Sequence, residues 1–388
     1  MASRLAFGSV CLSMVFMLAC ISDARLRLPE RFFNVRAFGA VPDGRTDNTN
    51  AFLRAWDVAC RWRGPSRVYV PFGTFMVGSV KFKGPCDGPI AFVIKGDLKA
   101  PTDPRSFSVD HWLSFLYVDG LVNMRFDFVS NSKVNHIRSI DSKNAHFNLF
   151  ACTNMNMSHI RIITPSWAPN TDGIHIGSSS NIQISHSIIG TGDDCIAMVS
   201  GSQDIDISDV ICGPGHGISI GSLGRGQIDN DVTGVAVSNC TFVGTQNGIR
   251  IKTWAPSSAG LASGFTFEDI NMNRVNNPIF IDQQYCPHPP CDRQIVCECE
   301  RKWLKCFLSN FMQASSRIQV SNVTMRNIWG ISTSKAAVTM NCSGSVPCKQ
   351  ITLANINLAY RGPGGPAISA CSNVRGKAYG QQLPPGCL

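Results

Sequence analysis

Residues 205–210 read Ile205-Asp206-Ile207-Ser208-Asp209-Val210, a stretch in which apolar and polar side chains alternate. An alternation with a period of two is typical of a β-strand whose two faces meet different environments. Stretches with a similar order recur along most of the chain. The fourth position of each stretch falls at Asn135, Ser158, Ser185, Ser208, Ser238, Glu268, Ser321 and Ala354.

The intervals between these positions are 23, 27, 23, 30, 30, 53 and 33 residues. Repeats of about 20 to 50 residues are typical of solenoids, in which coils stack because one coil cannot bury its own apolar face. We therefore predict an all-β fold, a single parallel β-helix, rather than a β-sandwich. Residues 47–60 predict an N-terminal capping helix, with Asp47 as N-cap and one apolar face. That face consists of Phe52, Ala55, Trp56 and Ala59.

The chain begins with a predicted secretory signal. Arg4 precedes an apolar run at residues 5–19, which is too short to span a bilayer, and Ser22-Asp23-Ala24 offers a cleavage site. We predict a signal peptide at 1–24 and one secreted, monomeric domain at 25–388, with no membrane span. Four acceptor sequences for N-linked glycans fit this route: Asn156, Asn239, Asn322 and Asn341.

Cysteine usage agrees with export. The chain has 17 cysteines, of which two lie in the predicted signal and three in an unusual segment at 295–312. The remaining twelve are an even number, as expected for disulfides in an oxidising compartment, although sequence leaves their pairing open. Pairs close in sequence are Cys195 with Cys212, Cys286 with Cys291, Cys342 with Cys348, and Cys371 with Cys387.

The formal net charge of the 388-residue chain is +9. A basic excess on a secreted protein favours an anionic partner. Nucleic acid is disfavoured because no basic run with interleaved aromatic residues occurs. An acidic polysaccharide suits the compartment better.

Four polar clusters occur at coil-length intervals: Asn170-Thr171-Asp172-Gly173, Gly192-Asp193-Asp194-Cys195, Gly215-His216-Gly217 and Arg250-Ile251-Lys252. Residues one coil apart are neighbours across a sheet, so three carboxylates, an imidazole and two cations should share one face. Each cluster alone is more often structural; their order and spacing together indicate a site. Mutual repulsion should raise at least one carboxyl pKa, giving a general acid beside an ionised group that activates water. Arg250 and Lys252 would bind the carboxylates of an acidic sugar.

These motifs resemble those of the polygalacturonases, glycoside hydrolase family 28, in their plant form, and most closely the pollen-type exopolygalacturonases. The resemblance covers roughly residues 33–387. The matching stretches are 38–47, 170–177, 191–196, 212–224, 250–254 and 277–286.

The resemblance implies a right-handed parallel β-helix that hydrolyses α-1,4-galacturonan of pectin with inversion, in the plant cell wall. The likeness to the pollen-type members favours exo action, while the sequence leaves exo and endo action open, since the choice depends on loops that close one end of the cleft. Asp193 would be the general acid, Asp172 and Asp194 would hold and activate water, and His216 would support protonation of the acid. The implied substrate-binding residues are Arg250, Lys252, Tyr285 and Asn170. The resemblance implies no cofactor and no metal, and it implies a Cys195–Cys212 disulfide.

Two departures from the family pattern stand out. About one coil is missing after Leu121, since a glycine-rich, tryptophan-containing stretch expected there is absent. An insertion at 295–312 carries Cys297, Cys299, Cys306 and Trp303, and fits no strand pattern. We interpret the insertion as a retained intron or gene-model artefact; the alternative is a genuine surface loop beside Tyr285.

The sequence leaves two other functions open. A pectate-lyase-like enzyme also uses a β-helix, but it would need a calcium site and a basic residue as catalyst, and a chelator would inhibit it. A catalytically impaired pectin-binding protein would bind polygalacturonate without releasing reducing ends.

Overall fold

The computed structural model describes residues 29–103, 112–116, 125–142, 144–226, 231–287 and 315–388, and the backbone of 295–300 and 303–308. A 3₁₀ turn covers Val35–Phe38, and helix α1 covers Thr49–Cys60. The strands, in chain order, are β1 (Arg31–Asn34), β2 (Asp43–Asp47), β3 (Ser66–Val70), β4 (Thr74–Met76), β5 (Val80–Lys83), β6 (Ile90–Ile94), β7 (Asp97–Lys99), β8 (Leu113–Leu116), β9 (Arg125–Asp127), β10 (Ser130–Asn135), β11 (Arg138–Ile140), β12 (Phe147–Phe150), β13 (Thr153–Ser158), β14 (Arg161–Ile163), β15 (Ile174–Gly177), β16 (Ser180–Gly190), β17 (Ile196–Met198), β18 (Gln203–Cys212), β19 (Ile218–Leu223), β20 (Val232–Ser238), β21 (Thr241–Val243), β22 (Asn247–Trp254), β23 (Ala259–Val275), β24 (Asn277–Tyr285), β25 (Ile295–Glu300), β26 (Trp303–Leu308), β27 (Arg317–Ser332), β28 (Ala336–Asn341), β29 (Cys348–Tyr360), β30 (Ile368–Ser372) and β31 (Val374–Leu383).

Two long parallel sheets span most of the described coils, and the N-terminal strands form two shorter sheets, β1-β3-β6 and β2-β4-β7. One long sheet follows the order β10-β13-β16-β18-β20-β23-β27-β29-β31, and the other the order β30-β28-β24-β22-β19-β17-β15-β12-β9-β8-β5. Equivalent apolar residues of successive coils align and are buried, as in the column Ile174, Ile196, Ile218, Ile249 and Ile279. The predicted all-β, parallel β-helix is confirmed.

From Asn135 to Glu268, the fourth positions of successive stretches pair with one another, as the predicted repeat requires. The predicted register is wrong at Ser321, because Glu268 pairs with Arg326, while Ser321 pairs with Ser263. The predicted register holds again at Ala354, which pairs with Arg326. Strand β27 contains the alternating pattern twice, five residues apart, so the sequence offered two equivalent registers.

Helix α1 forms where an N-terminal cap was predicted. The four predicted face residues, Phe52, Ala55, Trp56 and Ala59, are buried. Trp56 packs with its ring centroid 5.1 Å from that of Phe82, on the first strand of the long sheet. The N-cap is Asn48 rather than Asp47, although Asp47 still accepts a 2.9 Å hydrogen bond from the backbone N–H of Thr49.

The strand pairing has an unusually short interval where a coil was predicted to be missing. Phe115 of β8 pairs in parallel with Phe126 of β9, only eleven positions along the chain. The next pairing, Phe126 with Leu149, has a separation of 23, which is a coil length. Residues 117–124 join β8 to β9 and lie outside the described part of the chain.

The insertion contradicts the expectation that it forms no strands. Strands β25 and β26 pair antiparallel as a two-stranded sheet of their own. The coils continue across it, since Ile279 pairs with Val338 and Gly260 with Ile318. Whether 295–312 is an artefact stays a hypothesis.

Disulfides join Cys60 to Cys86, Cys195 to Cys212, Cys342 to Cys348, and Cys371 to Cys387. Cys286 is also disulfide-bonded, and Cys291 lies outside the described residues. Of the twelve cysteines outside the predicted signal and the insertion, Cys152 and Cys240 are free and buried. Burial raises the thiol pKa of Cys152 to about 11 and that of Cys240 to about 12, so both are inert core groups.

The predicted signal at 1–24 lies outside the described residues. Within the described part of the chain, no helix is both long and apolar enough to cross a bilayer.

Candidate active site

The four polar clusters come together because their strands are neighbours in one sheet. The clusters stand before or on β15, β17, β19 and β22, which lie side by side. Backbone hydrogen bonds continue the stacking ahead of the strands: Gly173 N–H donates to the Asp194 carbonyl (2.9 Å), and His216 N–H donates to the Asp193 carbonyl (2.7 Å). The expected shared face is therefore observed.

Asp194 lies at the centre of a buried hydrogen-bond network. Its Oδ1 accepts from the Arg250 guanidinium (2.7 Å) and from the Ser219 hydroxyl (2.8 Å), and its Oδ2 accepts from Lys252 Nζ (2.9 Å). Arg250 Nε also donates to the Ser219 hydroxyl at 3.0 Å. Asp194 is 2% exposed, so two cations compensate a charge that burial alone would make very costly.

Asp193 and His216 form the second pair, with His216 Nδ1 3.0 Å from Asp193 Oδ1. Burial by itself raises the pKa of Asp193. The hydrogen bond and charge of His216, the N–H of Asp194 and the charge of Lys252 outweigh burial, so the pKa lies below its ordinary value. The prediction that repulsion raises the pKa of the acid is wrong for Asp193 in the free protein, because the hydrogen bonds and positive charges around this carboxylate outweigh its burial.

Asp172 is held at the side of the cluster. Its Oδ2 lies 3.0 Å from Nδ1 of His175, three residues later on β15. The preceding Thr171 ties this turn to the next coil, because its hydroxyl accepts a 3.0 Å hydrogen bond from Gly192 N–H. Asp172 therefore has a fixed orientation relative to the Asp193 turn.

A cleft of about 1210 Å³ opens over this face. Six of the eight predicted site residues line it: Asn170, Asp193, His216, Arg250, Lys252 and Tyr285. Asp194 lies beneath the lining, and Asp172 is not part of it. Lys252 Nζ stands 5.4 Å from the centroid of the Tyr285 ring, which places Tyr285 beside the two predicted carboxylate-binding cations.

Sequence reasoning missed several side chains that build the site. Ser219 bridges Asp194 and Arg250, and His175 orients Asp172. Their only signal was position, since each stands on the outer face of a strand that follows a polar cluster. Asp282 pairs in register with Lys252, and burial raises its pKa.

Ligand atoms of Asp193, Asp194 and His216 lie within 4.8 Å of one another, close enough to share a metal ion. Arg250 and Lys252 already occupy the Asp194 oxygens with hydrogen bonds. A divalent cation at this point would face two fixed positive charges, so the donor set does not fit a metal.

Comparison with known proteins identifies the family. Residues 121–380 match the family described as glycosyl hydrolases family 28. The chain belongs to glycosyl hydrolase family 28. Residues 32–103 of this family-28 chain also match the description rhamnogalacturonase A/epimerase, pectate lyase-like.

Its relatives include an exopolygalacturonase of Platanus acerifolia, 42% identical and covering 91% of this chain and 96% of the relative. A polygalacturonase of Gossypium barbadense is 39% identical over 96% of this chain and 94% of the relative. Among solved structures, an exopolygalacturonase of Thermotoga maritima has a TM-score of 0.69 at 17% identity, covering 90% and 92%. An endo-xylogalacturonan hydrolase of Aspergillus tubingensis has a TM-score of 0.72 at 20% identity, covering 90% and 100%. These likenesses show the fold, the expected right-handed parallel β-helix.

Proposed function

We propose that this glycoside hydrolase cleaves the α-1,4 bonds of polygalacturonate in pectin, with inversion and from a chain end. One observation carries the proposal: Asp193 is the single carboxylate among the described side chains that line a cleft rich in cations. A carboxylic acid placed among cations suits a substrate that carries many negative charges. The names of the relatives from Platanus and Gossypium support the same substrate.

Asp193 acts as the general acid, and the Asp193–His216 pair holds the proton that the leaving oxygen needs. In the free protein the cations keep the pKa of Asp193 low. A substrate carboxylate entering the cleft adds negative charge and displaces water, and both changes raise the pKa of Asp193. Binding of the acidic substrate thus prepares the acid for proton transfer.

Asp172 and Asp194 hold and activate the attacking water. Two carboxylates flanking the bond and a water on the opposite face are what inverting hydrolysis requires. His175 fixes Asp172, while Ser219, Arg250 and Lys252 fix Asp194. Neither carboxylate has to reorganise during the reaction, which favours catalysis by preorganisation.

Arg250 and Lys252 also bind substrate carboxylates. Arg250 has five N–H donors and Lys252 has three, and the hydrogen bonds to Asp194 and Ser219 use only some of them. Both side chains line the cleft with Tyr285 and Asn170 beside them. Highly methyl-esterified pectin should therefore be a poor substrate, and equal rates on esterified and free polymer would contradict this role.

The deciding experiment compares Asp193→Asn with Asp206→Asn, which changes an exposed aspartate on the outer surface of the other long sheet. Release of reducing ends from polygalacturonate should fall by about 10² to 10⁴ for Asp193→Asn and stay at the wild-type rate for Asp206→Asn. Near-normal turnover of Asp193→Asn refutes the assignment. Tight binding by the wild type without any product would identify an impaired binding protein instead.

Two readouts of the same reaction test the finer claims. NMR of the first product should show the β-anomer if the α-bond is cleaved with inversion, and product analysis should show monomer alone rather than a ladder of oligomers. A calcium chelator should leave the rate unchanged, whereas a calcium-dependent lyase would stop.

We further propose that the protein acts as a monomer outside the cell, in the wall. The test is expression of the full chain in a secretory host, where residues 1–24 should be absent from the protein recovered in the medium. Retention of those residues on cell-bound protein would contradict the signal-peptide prediction.

A further inference from the structure

One end of the catalytic cleft carries two exposed arginines, Arg225 and Arg317. Neither forms an ion pair with a carboxylate in the described part of the chain. Arg250 and Lys252, by contrast, both pair with Asp194. The uncompensated positive charge of the cleft therefore lies beyond the reaction centre.

Arg225 is placed by an aromatic platform. Its guanidinium carbon stands 4.9 Å from the centroid of the Trp254 ring, and the Trp254 ring meets Tyr285 edge-on at 5.2 Å. Trp254 comes at the end of β22, where the register with β24 shifts just after Lys252. An irregularity of this kind redirects a side chain beside a site, and a guanidinium stacked on a ring keeps its in-plane N–H groups for a carboxylate.

Arg317 is placed by a chain of hydroxyl groups. Its backbone N–H donates to the Ser257 hydroxyl at 2.7 Å. The Ser257 hydroxyl lies 3.2 Å from that of Ser316, which lies 2.7 Å from that of Thr253 on β22. Ser316 and Thr253 are buried, so this network fixes the start of β27 against the cleft wall.

The same end of the cleft holds two buried polar groups without partners among the described residues, Trp254 Nε1 and Ser258 Oγ. Buried polar groups in folded proteins normally have a hydrogen-bond partner. Both residues line the cleft. Because both atoms are closed off from solvent, a ligand in the cleft does not reach them without a movement of the wall, and the two arginines alone supply the carboxylate contacts.

We propose that Arg225, Trp254 and Arg317 form a second carboxylate subsite, the Arg225–Arg317 subsite, which binds an acidic sugar unit beyond the reacting one. The inference rests on the proposed function and extends it to a longer stretch of substrate. The arginines hold the carboxylate of that unit by charge-assisted hydrogen bonds, and Trp254 holds Arg225 in place.

The test measures binding of galacturonate oligomers of one to six units by calorimetry, in an Asp193→Asn background so that the ligand is not cut. Arg225→Gln and Arg317→Gln are compared with Arg161→Gln, which removes an exposed arginine of β14 that does not line the cleft. Each cleft variant should weaken binding of the longer oligomers by about tenfold while changing monomer binding less than twofold. Arg161→Gln should match the background at every length, and methyl-esterified oligomers should lose the difference between variants.

The outcomes separate the two claims. If the background binds oligomers but both cleft variants behave like Arg161→Gln, the subsite is wrong and the proposed function stands. A uniform loss at every length, the monomer included, also overturns the subsite, because it indicates damage to the reaction centre. If the wild type releases no sugar and the background binds no oligomer, both claims are wrong.

Discussion

His146 provides a test of how stability depends on pH near the site. It is buried, with Nδ1 2.8 Å from the Ser139 hydroxyl and Nε2 2.5 Å from the Thr164 hydroxyl. Burial lowers its pKa to about 4, from an ordinary 6.5. Its backbone N–H donates to the carbonyl of Asp172 at 2.8 Å, so this histidine belongs to the coil that supports a proposed catalytic residue.

The sign of the effect follows from proton binding. Between pH 6.5 and 4 the unfolded chain protonates this imidazole and the folded chain does not, so the free energy of unfolding falls as pH is lowered. Above pH 6.5 both states carry the neutral imidazole, so His146 does not lower the free energy of unfolding there. At about 1.4 kcal/mol for each pKa unit, the loss is about 2 kcal/mol at pH 5 and about 3 kcal/mol at pH 4.

The perturbation is His146→Gln, which keeps a neutral hydrogen-bonding side chain but cannot take up the proton. Urea unfolding followed by circular dichroism between pH 7 and 4 should give a shallower fall in stability for His146→Gln than for the wild type. The control His136→Gln removes an exposed imidazole and should follow the wild type. Parallel curves for the wild type and His146→Gln would refute the reasoning.

Three further predictions concern the site and its support. Ser219→Ala should lower kcat by about tenfold, because Asp194 loses a hydrogen bond that fixes it, and an unchanged kcat would show that the bridge is dispensable. Replacing Cys195 and Cys212 together with serine should reduce the free energy of unfolding by about 3 kcal/mol, measured in urea, since the bridge closes a loop with a sequence separation of 17; an equal midpoint would contradict this. Deleting 295–312 should preserve soluble yield, melting temperature and activity, because the coils pair across the insertion; an unstable, inactive product would show that the segment is part of the fold.

The coil register was predictable because it has a chemical cause. The fourth position of each repeated stretch is followed by a residue with positive φ, as at His159, Asp209 and Asn239. Asparagine, aspartate and histidine are enriched in this left-handed conformation, and one of the three stands at this bend in each of these coils. A second column of such residues lies five positions earlier and includes Asn322. The two columns look alike in sequence, and only the pairing of whole strands distinguishes Ser321 from Arg326.

The even cysteine count predicted disulfides, but it could not show which cysteines stay free. An even count constrains pairing only if every thiol can reach a partner. Cys152 and Cys240 instead point into the apolar core of coils that are not adjacent, since β16 and β18 lie between their strands. Burial of this kind depends on which face of a turn is inward, and a count of residues carries no such information.

The charge balance of the site was also beyond the sequence, and it separates the roles of two adjacent aspartates. Spacing alone placed Asp193 and Asp194 among cations, but it could not say which carboxylate each cation reaches. In the fold, Arg250 and Lys252 of β22 reach across β19 to Asp194, which leaves Asp193 paired only with a titratable imidazole. A carboxylate held by two permanent cations is poorly suited to carry a proton, whereas one that faces the cleft beside His216 can exchange it. The proposed division between acid and water-holding carboxylate therefore rests on which side of the turn each side chain leaves.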